Sequence, residues 1–193
     1  MARRRIRDIR NEALIDATIS AVSEHGYAMV TMADIAAGAD TTAASINYYF
    51  GSKEKLMEAT MLRLLSILKN ALLERYAVAK TPRERLEALI DANFDDRLFT
   101  AHQCSVWMQF WSYAPYSPRL SRLHRINRAR VQSHVRAELR SLVPEAQRET
   151  VRATLQAYMD GVWLEAAQSH RPVIPNTARN DAKRVLNLLI GSA

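Results

Sequence analysis

The chain has 193 residues, 48% of them hydrophobic, which suffices for one ordinary domain or for a small domain joined to a larger one. Its single cysteine, Cys104, excludes an internal disulfide and fits a reducing cytoplasm, and no apolar run reaches the roughly 18 residues that a membrane span needs. We therefore expect a cytoplasmic protein without a membrane segment, and its net charge of +7 points toward nucleic acid.

Three short helices are predicted at the N-terminal end. Apolar residues at helical spacing indicate a helix over 11–25, which Gly26 ends. Thr31 is a candidate N-cap for a helix over 31–38, and Asp34 stands where a capping box places its acidic residue. Thr42 is a cap residue for a third helix over 42–48.

Six longer helices are predicted to follow. Ser52 caps an apolar run over 53–79. Prolines mark most of the later boundaries, and the remaining helices are predicted at 82–94, 100–114, 118–143, 145–169 and 176–190. With no strand alternation, the sequence predicts an all-α fold of about nine helices, in which a three-helix unit (1–51) precedes a larger helical bundle (52–193).

The second and third helices have the plan of a helix-turn-helix unit, in which the later helix lies in the major groove. Asn47 suits an adenine edge, Thr and Tyr hydroxyls suit phosphate oxygens, and Lys53 stands at a helix start, where a phosphate is favoured. The alternative is a plain three-helix packing unit with Tyr49 and Phe50 in its core. The candidate DNA contacts are Thr31, Thr42, Ala43, Ser45, Asn47, Tyr48, Tyr49 and Lys53.

The pattern T-x-x-x-I-A, followed by A, Y-Y-F and S-K-E-K-L, resembles the TetR family of one-component repressors. The matching residues are Thr31, Ile35, Ala36, Ala39, Tyr49, Phe50, Lys53 and Leu56. The family usually has Gly-Val-Ser in the turn, where this chain has Asp40-Thr41-Thr42. Because Asp tolerates the left-handed conformation and Thr caps as Ser does, we expect the turn to survive.

This resemblance implies an N-terminal helix-turn-helix DNA-binding domain at 1–51 and a C-terminal ligand-binding and dimerisation domain at 52–193. It also implies a homodimer formed through the last two helices and a pseudo-palindromic double-stranded DNA operator. The N-terminal arm of family members can touch DNA, which adds Arg4 and Arg5 to the candidate contacts. An ordinary basic tail is the alternative for that arm.

Aromatic and acidic residues of the larger half form a second group of candidates. Trp107 and Trp111 are four residues apart, as are Asp91 and Asp95, so each pair is expected on one helix face. Ring faces attract a quaternary ammonium, and a carboxylate balances its charge. Core packing and solvated aspartates are the alternative. The candidate ligand contacts are Asp91, Asp95, Trp107, Phe110, Trp111, Tyr158 and Trp163.

Four further segments resemble the BetI-type branch of the family, the choline-responsive repressors of glycine betaine synthesis. These segments are L-M-E-A-T-M (56–61), N-F-D (93–95), W-x-x-F-W (107–111) and D-G-V-W-L followed by A-A (160–167). The resemblance implies choline or a near relative as inducer, and genes for its uptake and oxidation as targets. The alternative within the family is a repressor of a multidrug efflux pump that senses aromatic cations. In either case we expect ligand binding to move the long helix 53–79.

Two other functional classes are less consistent with the residues. The sequence has no Glu-x-x-His pair, no Gly-x-Ser-x-Gly motif, no phosphate loop and no metal-ligand spacing among its five histidines, so we expect no enzyme activity, no cofactor and no metal. Residues 119–143 hold seven Arg and one Glu. They form either a solvated helix face or a second surface for an anionic partner.

Overall fold

Nine α-helices make up the part of the chain that the computed structural model describes, residues 2–169 and 172–191, with side chains from Arg10 onward. In chain order they are α1 (Ala2–His25), α2 (Met32–Gly38), α3 (Ala43–Phe50), α4 (Lys53–Tyr76), α5 (Pro82–Asn93), α6 (Ala101–Tyr113), α7 (Pro118–Leu139), α8 (Glu145–Gln168) and α9 (Pro175–Ile190). The predicted all-α fold is confirmed. Within these described ranges, no helix is long and apolar enough to cross a membrane.

Hydroxyl side chains cap the helices at the positions predicted from the sequence. The Asp34 backbone N–H donates to Thr31 Oγ1 at 3.2 Å, and the Thr31 N–H donates to Asp34 Oδ2 at 2.7 Å, which completes a capping box. The Thr31 hydroxyl also donates to Asp34 Oδ2 at 2.7 Å, and this bond, followed by that of the Thr31 N–H, lowers the pKa of Asp34. The Lys55 N–H donates to Ser52 Oγ at 3.3 Å at the start of α4.

Several helix boundaries differ from the prediction. α1 begins at Ala2, nine residues earlier than its apolar periodicity indicates, because arginine is a good helix former even where no apolar face is present. α5 ends at Asn93, so Asp95 lies in the turn that follows rather than on the helix face of Asp91. α7 ends at Leu139, four residues short of the predicted end at 143, and a turn over 140–143 leads to Pro144.

The helices pack around one continuous apolar core. Helices α1, α2 and α3 contribute fully buried side chains such as Val22, Ile35 and Ile46. The first half of α4 packs against them through Leu56 and Leu64, which are also fully buried. α4 therefore belongs to both halves of the molecule, and the predicted boundary at residue 51 falls on the residue just before its cap.

Some arginines of α7 have acidic partners on other helices. Arg119 pairs with Glu58 of α4 at 2.7 Å, and Arg128 pairs with Asp160 of α8 at 3.2 Å. Arg122 is exposed and has no acidic partner within the described residues. The arginine-rich helix thus combines interhelical ion pairs with a solvated face.

A buried carboxylate holds the C-terminal end of α4. Asp95 is 3% exposed, and its oxygens accept from Arg75 Nη2 and Arg97 Nε, each at 2.8 Å. Arg97 also pairs with Glu74 at 2.8 Å. Burial acts to raise the pKa of Asp95, but the hydrogen bonds from Arg97 and Arg75 outweigh it and lower the pKa to about 2. The network ties α4 to the turn between α5 and α6.

We expect Asp95→Asn to lower the free energy of unfolding by about 2–4 kcal/mol at pH 7, because it leaves Arg75 without its buried partner. The folded-state pKa lies below the ordinary value of about 3.9, so this contribution is complete above pH 4 and is lost as the pH falls toward 2. Urea unfolding at pH 7 and pH 3 measures both effects.

The neighbouring Asp96 provides the control for this prediction. Its carboxylate pairs with Arg179, but its side chain is 72% exposed. Asp96→Asn is therefore expected to change stability little. Equal losses in the two variants, or a loss at Asp95 that does not shrink at low pH, contradict the assigned network.

Candidate functional site

The turn between α2 and α3 has the geometry that its unusual sequence predicts. Asp40 has φ of 47°, and no other non-glycine residue in the described chain has a positive φ. The Ser45 N–H donates to Thr42 Oγ1 at 3.1 Å, so Thr42 caps α3. Asp40 and Thr42 thus supply the left-handed residue and the cap that the turn needs.

One face of α3 is open to solvent and the other is in the core. Ile46 is fully buried, whereas Tyr48 is 83% exposed and Asn47 is exposed beside it. Thr31 and Thr42, at the starts of α2 and α3, are exposed as well. Among the other candidates, Ala43, Ser45 and Tyr49 are half-buried. The exposed candidates lie where a helix-turn-helix presents side chains to a groove.

Arg10 lies beside this surface and was missed by the sequence analysis. Its Nη1 donates to the Tyr49 hydroxyl at 3.2 Å, and it lines a cavity of about 190 Å³ with Asp40, Thr41 and Ser45. Arg10 follows Arg7 by three residues, which places both on one helix face, and this spacing could have identified Arg10 as a candidate. The side chains of Arg4 and Arg5 lie outside the described residues; their backbone belongs to the first turns of α1.

Lys53 has a structural partner as well as a position near the surface. Its Nζ donates to the carbonyl of Ala28 at 3.3 Å, which links the start of α4 to the turn after α1. An ammonium has three donors, so this bond leaves others for an anion.

The three tryptophans of the chain come together in the larger half. The ring centres of Trp107 and Trp111 are 6.3 Å apart, and those of Trp107 and Trp163 are 5.8 Å apart, both in edge-to-face contact. Trp163 Nε1 donates to Asn93 Oδ1 at 2.8 Å. They line a cavity of about 40 Å³, which we call the indole site, and its polar walls are Asn93, His124, Asn127, Arg128, Gln156 and Asp160.

The indole site contains one carboxylate among its described lining residues, Asp160. Its oxygens accept from Arg128 Nη1 at 3.2 Å and from Gln156 Nε2 at 2.7 Å. Burial, and then Arg128, lower the pKa of His124, so this imidazole is neutral at pH 7. The Nε1 atoms of Trp107 and Trp111 are buried and have no hydrogen-bond partner in the described structure. A ligand here would meet the three indole rings and one paired carboxylate.

The two aspartates predicted as ligand contacts lie elsewhere. Asp91 pairs with Lys183 of α9 at 2.7 Å, and Asp95 belongs to the network with Arg75. The acidic residue of the indole site is instead Asp160, three residues before Trp163 in the segment D-G-V-W-L. That spacing on one helix face was the signal that could have identified it.

The other two aromatic candidates also lie outside the indole site. Phe110 contacts the ring of Tyr27 edge to face, with ring centres 5.5 Å apart. Tyr158 lines a separate cavity with Phe99, between α8 and α9. Of the seven residues predicted as ligand contacts, the structure brings together the three tryptophans.

Helix α6 contacts the N-terminal three-helix unit through the face opposite its tryptophans. Gln109 Nε2 donates to the Val22 carbonyl at 3.0 Å, and its Oε1 accepts from the Tyr27 N–H. Phe110, next in the chain, packs on the Tyr27 ring. One helix therefore carries walls of the indole site on one side and holds the end of α1 on the other.

Comparisons with known proteins agree with this architecture. Residues 14–60 match the family model described as bacterial regulatory proteins, tetR family, and residues 82–191 match the BetI-type transcriptional repressor, C-terminal model. The HTH-type transcriptional regulator BetI of Burkholderia lata is 36% identical over 188 residues, which cover 97% of each chain. The chain belongs to the TetR family, with a BetI-type C-terminal domain. It is a transcriptional repressor, not an enzyme.

A second BetI regulator and two solved structures of transcriptional regulators are also similar to this chain. The BetI regulator of Burkholderia mallei is 36% identical over 186 residues, covering 96% of this chain and 95% of its own. A TetR regulator from Haloarcula marismortui superposes with a TM-score of 0.77 at 24% identity, covering 95% and 100% of the two chains. A regulator from Saccharomonospora viridis, solved in complex with choline, has a TM-score of 0.78 at 19% identity, covering 92% and 95%. At these identities the structures show the shared fold.

We expect Gln109→Ala to lower the free energy of unfolding by about 1–3 kcal/mol, because it leaves the Val22 carbonyl and the Tyr27 N–H without their partner. Faster hydrogen exchange at the Tyr27 amide locates the effect. Ser112→Ala is the control on the same helix, since Ser112 is exposed and bonds within α6. Unchanged exchange at Tyr27 contradicts the role of Gln109.

Proposed function

We propose that this TetR-type repressor binds choline or a closely related quaternary ammonium in the indole site and controls genes for choline uptake and glycine betaine synthesis. The observation that carries the proposal is the convergence of three indole rings beside the carboxylate of Asp160. Relatives named BetI at 36% identity support it, as does the choline complex of the Saccharomonospora viridis regulator.

The chemistry of the indole site suits a quaternary ammonium. Such a cation has no hydrogen to donate, so it gains from ring faces, at about 0.5–2 kcal/mol for each desolvated contact. The cavity of about 40 Å³ has space for a compact group.

The proposed DNA-binding form is a homodimer that pairs through α8 and α9. These helices carry exposed apolar side chains, with Leu164 at 46% and Leu188 at 84% exposure in the single chain. A dimer would place its two α3 helices about 34 Å apart, in successive major grooves of a pseudo-palindromic operator. The proposed contacts are the candidate residues of α2, α3 and the start of α4, together with Arg10.

The proposed response passes through α6 as well as α4. A ligand inserted between Trp107 and Trp111 displaces α6, and Gln109 and Phe110 transmit this displacement to α1. The first half of α4 moves with the helices it packs against, and the spacing of the α3 helices then no longer fits the operator. The ligand shifts this balance only by its different affinities for the two arrangements.

The function is tested by DNase footprinting of the region upstream of the chain's own gene, with and without choline. A footprint that weakens with choline supports the proposal. Calorimetric titration with choline and with a planar aromatic dye discriminates the efflux-pump alternative. Binding of the dye without binding of choline removes the choline assignment.

For DNA, we expect Asn47→Ala and Tyr48→Ala each to weaken operator binding by about 1–3 kcal/mol, because both side chains are exposed on α3. Fluorescence anisotropy with the footprinted fragment measures the loss. Arg122→Ala on α7 is the control and should leave operator affinity unchanged. If Arg122→Ala weakens operator binding and the two α3 variants do not, DNA binding belongs to the arginine-rich helix α7.

For the ligand, we expect Trp111→Ala and Asp160→Asn each to weaken choline binding by about five- to fiftyfold, by removing a ring face or the balancing charge. Titration calorimetry measures the dissociation constants. Asp91→Asn is the matched control, because Asp91 pairs with Lys183 away from the indole site. If Asp91→Asn weakens binding as much as Asp160→Asn, the indole site is not where choline binds.

A further inference from the structure

A second cavity lies beside the indole site, between α4, α5 and α7, and choline alone does not account for it. Its volume is about 150 Å³, and it shares four lining residues with the indole site: Leu68, Asn93, Asn127 and Val131. Most of its remaining wall is apolar and comes from Leu65, Leu72, Leu73, Leu89 and Ala92. We call it the leucine cavity. Walls of this kind suit an aliphatic chain.

Two cationic side chains and the imidazole of His134 complete the wall of the leucine cavity. Lys69 of α4 and Arg130 of α7 line it, both are exposed, and neither has an ion-pair partner among the described residues. No carboxylate lines this cavity in the described part of the chain. The group that its charge favours is therefore an anion, held where Lys69 and Arg130 meet solvent.

The charges of the two cavities together match a zwitterion better than a simple monocation. In the indole site, Asp160 is paired with Arg128, so its charge is shared between Arg128 and an entering cation. Lys69 and Arg130 add two unpaired positive charges at the adjacent leucine cavity. A ligand with an ammonium at one end and an anionic group at the other would match both ends.

We propose that the preferred ligand is an extended betaine, in which a methylene chain joins a trimethylammonium group to a carboxylate. The ammonium occupies the indole site, the chain runs past Leu68 and Val131, and the carboxylate reaches Lys69 and Arg130. This inference rests on the proposed function for the ammonium end and adds the chain and the carboxylate. Choline occupies the indole end only.

Titration calorimetry with a ligand series tests the proposal. The series is choline, glycine betaine, 4-trimethylammoniobutanoate and 6-trimethylammoniohexanoate, with the methyl ester of the last as a ligand of matched length that lacks the carboxylate. Each methylene buried against the leucines should tighten binding by about fourfold. We expect the hexanoate to bind at least about tenfold more tightly than glycine betaine. Its ester keeps the chain but loses the carboxylate, so it should bind about tenfold more weakly than the acid.

A matched pair of variants assigns the carboxylate end. The double substitution Lys69→Ala and Arg130→Ala should weaken hexanoate binding about tenfold and should not weaken binding of choline or of the ester. Both residues are exposed, so the fold is expected to tolerate the change. Arg122→Ala with Arg125→Ala removes the same charge from the exposed face of α7 and should affect no ligand.

The outcomes separate the inference from the proposed function. If choline binds but affinity does not rise along the series, or if the ester binds as tightly as the acid, the extended betaine is wrong and the indole site stands. If the long acids bind and choline does not, the inference stands and choline is not the inducer. If no member of the series binds, the ammonium assignment falls and the inference falls with it.

Discussion

The contact between Gln109 and the end of α1 is the interaction that relates the two halves of this molecule. α1 ends at His25, and Gly26 follows with φ of 84°, which turns the chain toward α2. The turn leaves the Val22 carbonyl and the Tyr27 N–H close together, and the Gln109 amide bonds both. Because one planar group satisfies two backbone groups, the position and the rotation of α6 are tied to the DNA-binding helices.

Helix α4 provides the second connection, and its two ends are held differently. Its first half shares the core of the DNA-binding helices through Leu56 and Leu64. Its last turn is fixed to the turn between α5 and α6 by Arg75 and the buried Asp95. The middle of α4 passes the cavities, where Leu68 lines both. A ligand bound there, as proposed, would contact α4 between its two anchored ends and α6 through Trp107 and Trp111.

Local features of the structure could be predicted from the sequence. Caps at Thr31, Thr42 and Ser52 act on neighbouring backbone, so their residue types and spacing suffice to place the helix starts. The left-handed residue Asp40 follows from the same local chemistry. The convergence of the tryptophans was also anticipated, because two of them share one face of α6 and all three were candidate ligand contacts.

Contacts between distant segments could not be predicted in this way. Gln109 meets Val22 across 87 positions, and Arg128 meets Asp160 across 32, and no helical spacing relates such pairs. The error over Asp91 and Asp95 has the same origin. Their spacing suggested one acidic face, but α5 ends at Asn93 and each carboxylate has a basic partner from another segment, Lys183 or Arg75.

The central claim is that the indole site and the operator are coupled through α6. Its most direct test is the operator affinity measured by fluorescence anisotropy with and without saturating choline, in the wild type and in Gln109→Ala. The account predicts that choline weakens operator binding of the wild type by about 5- to 150-fold, the usual range for coupled sites. In Gln109→Ala, both ligands should still bind, with the coupling factor reduced toward one. Full coupling in that variant would contradict the account.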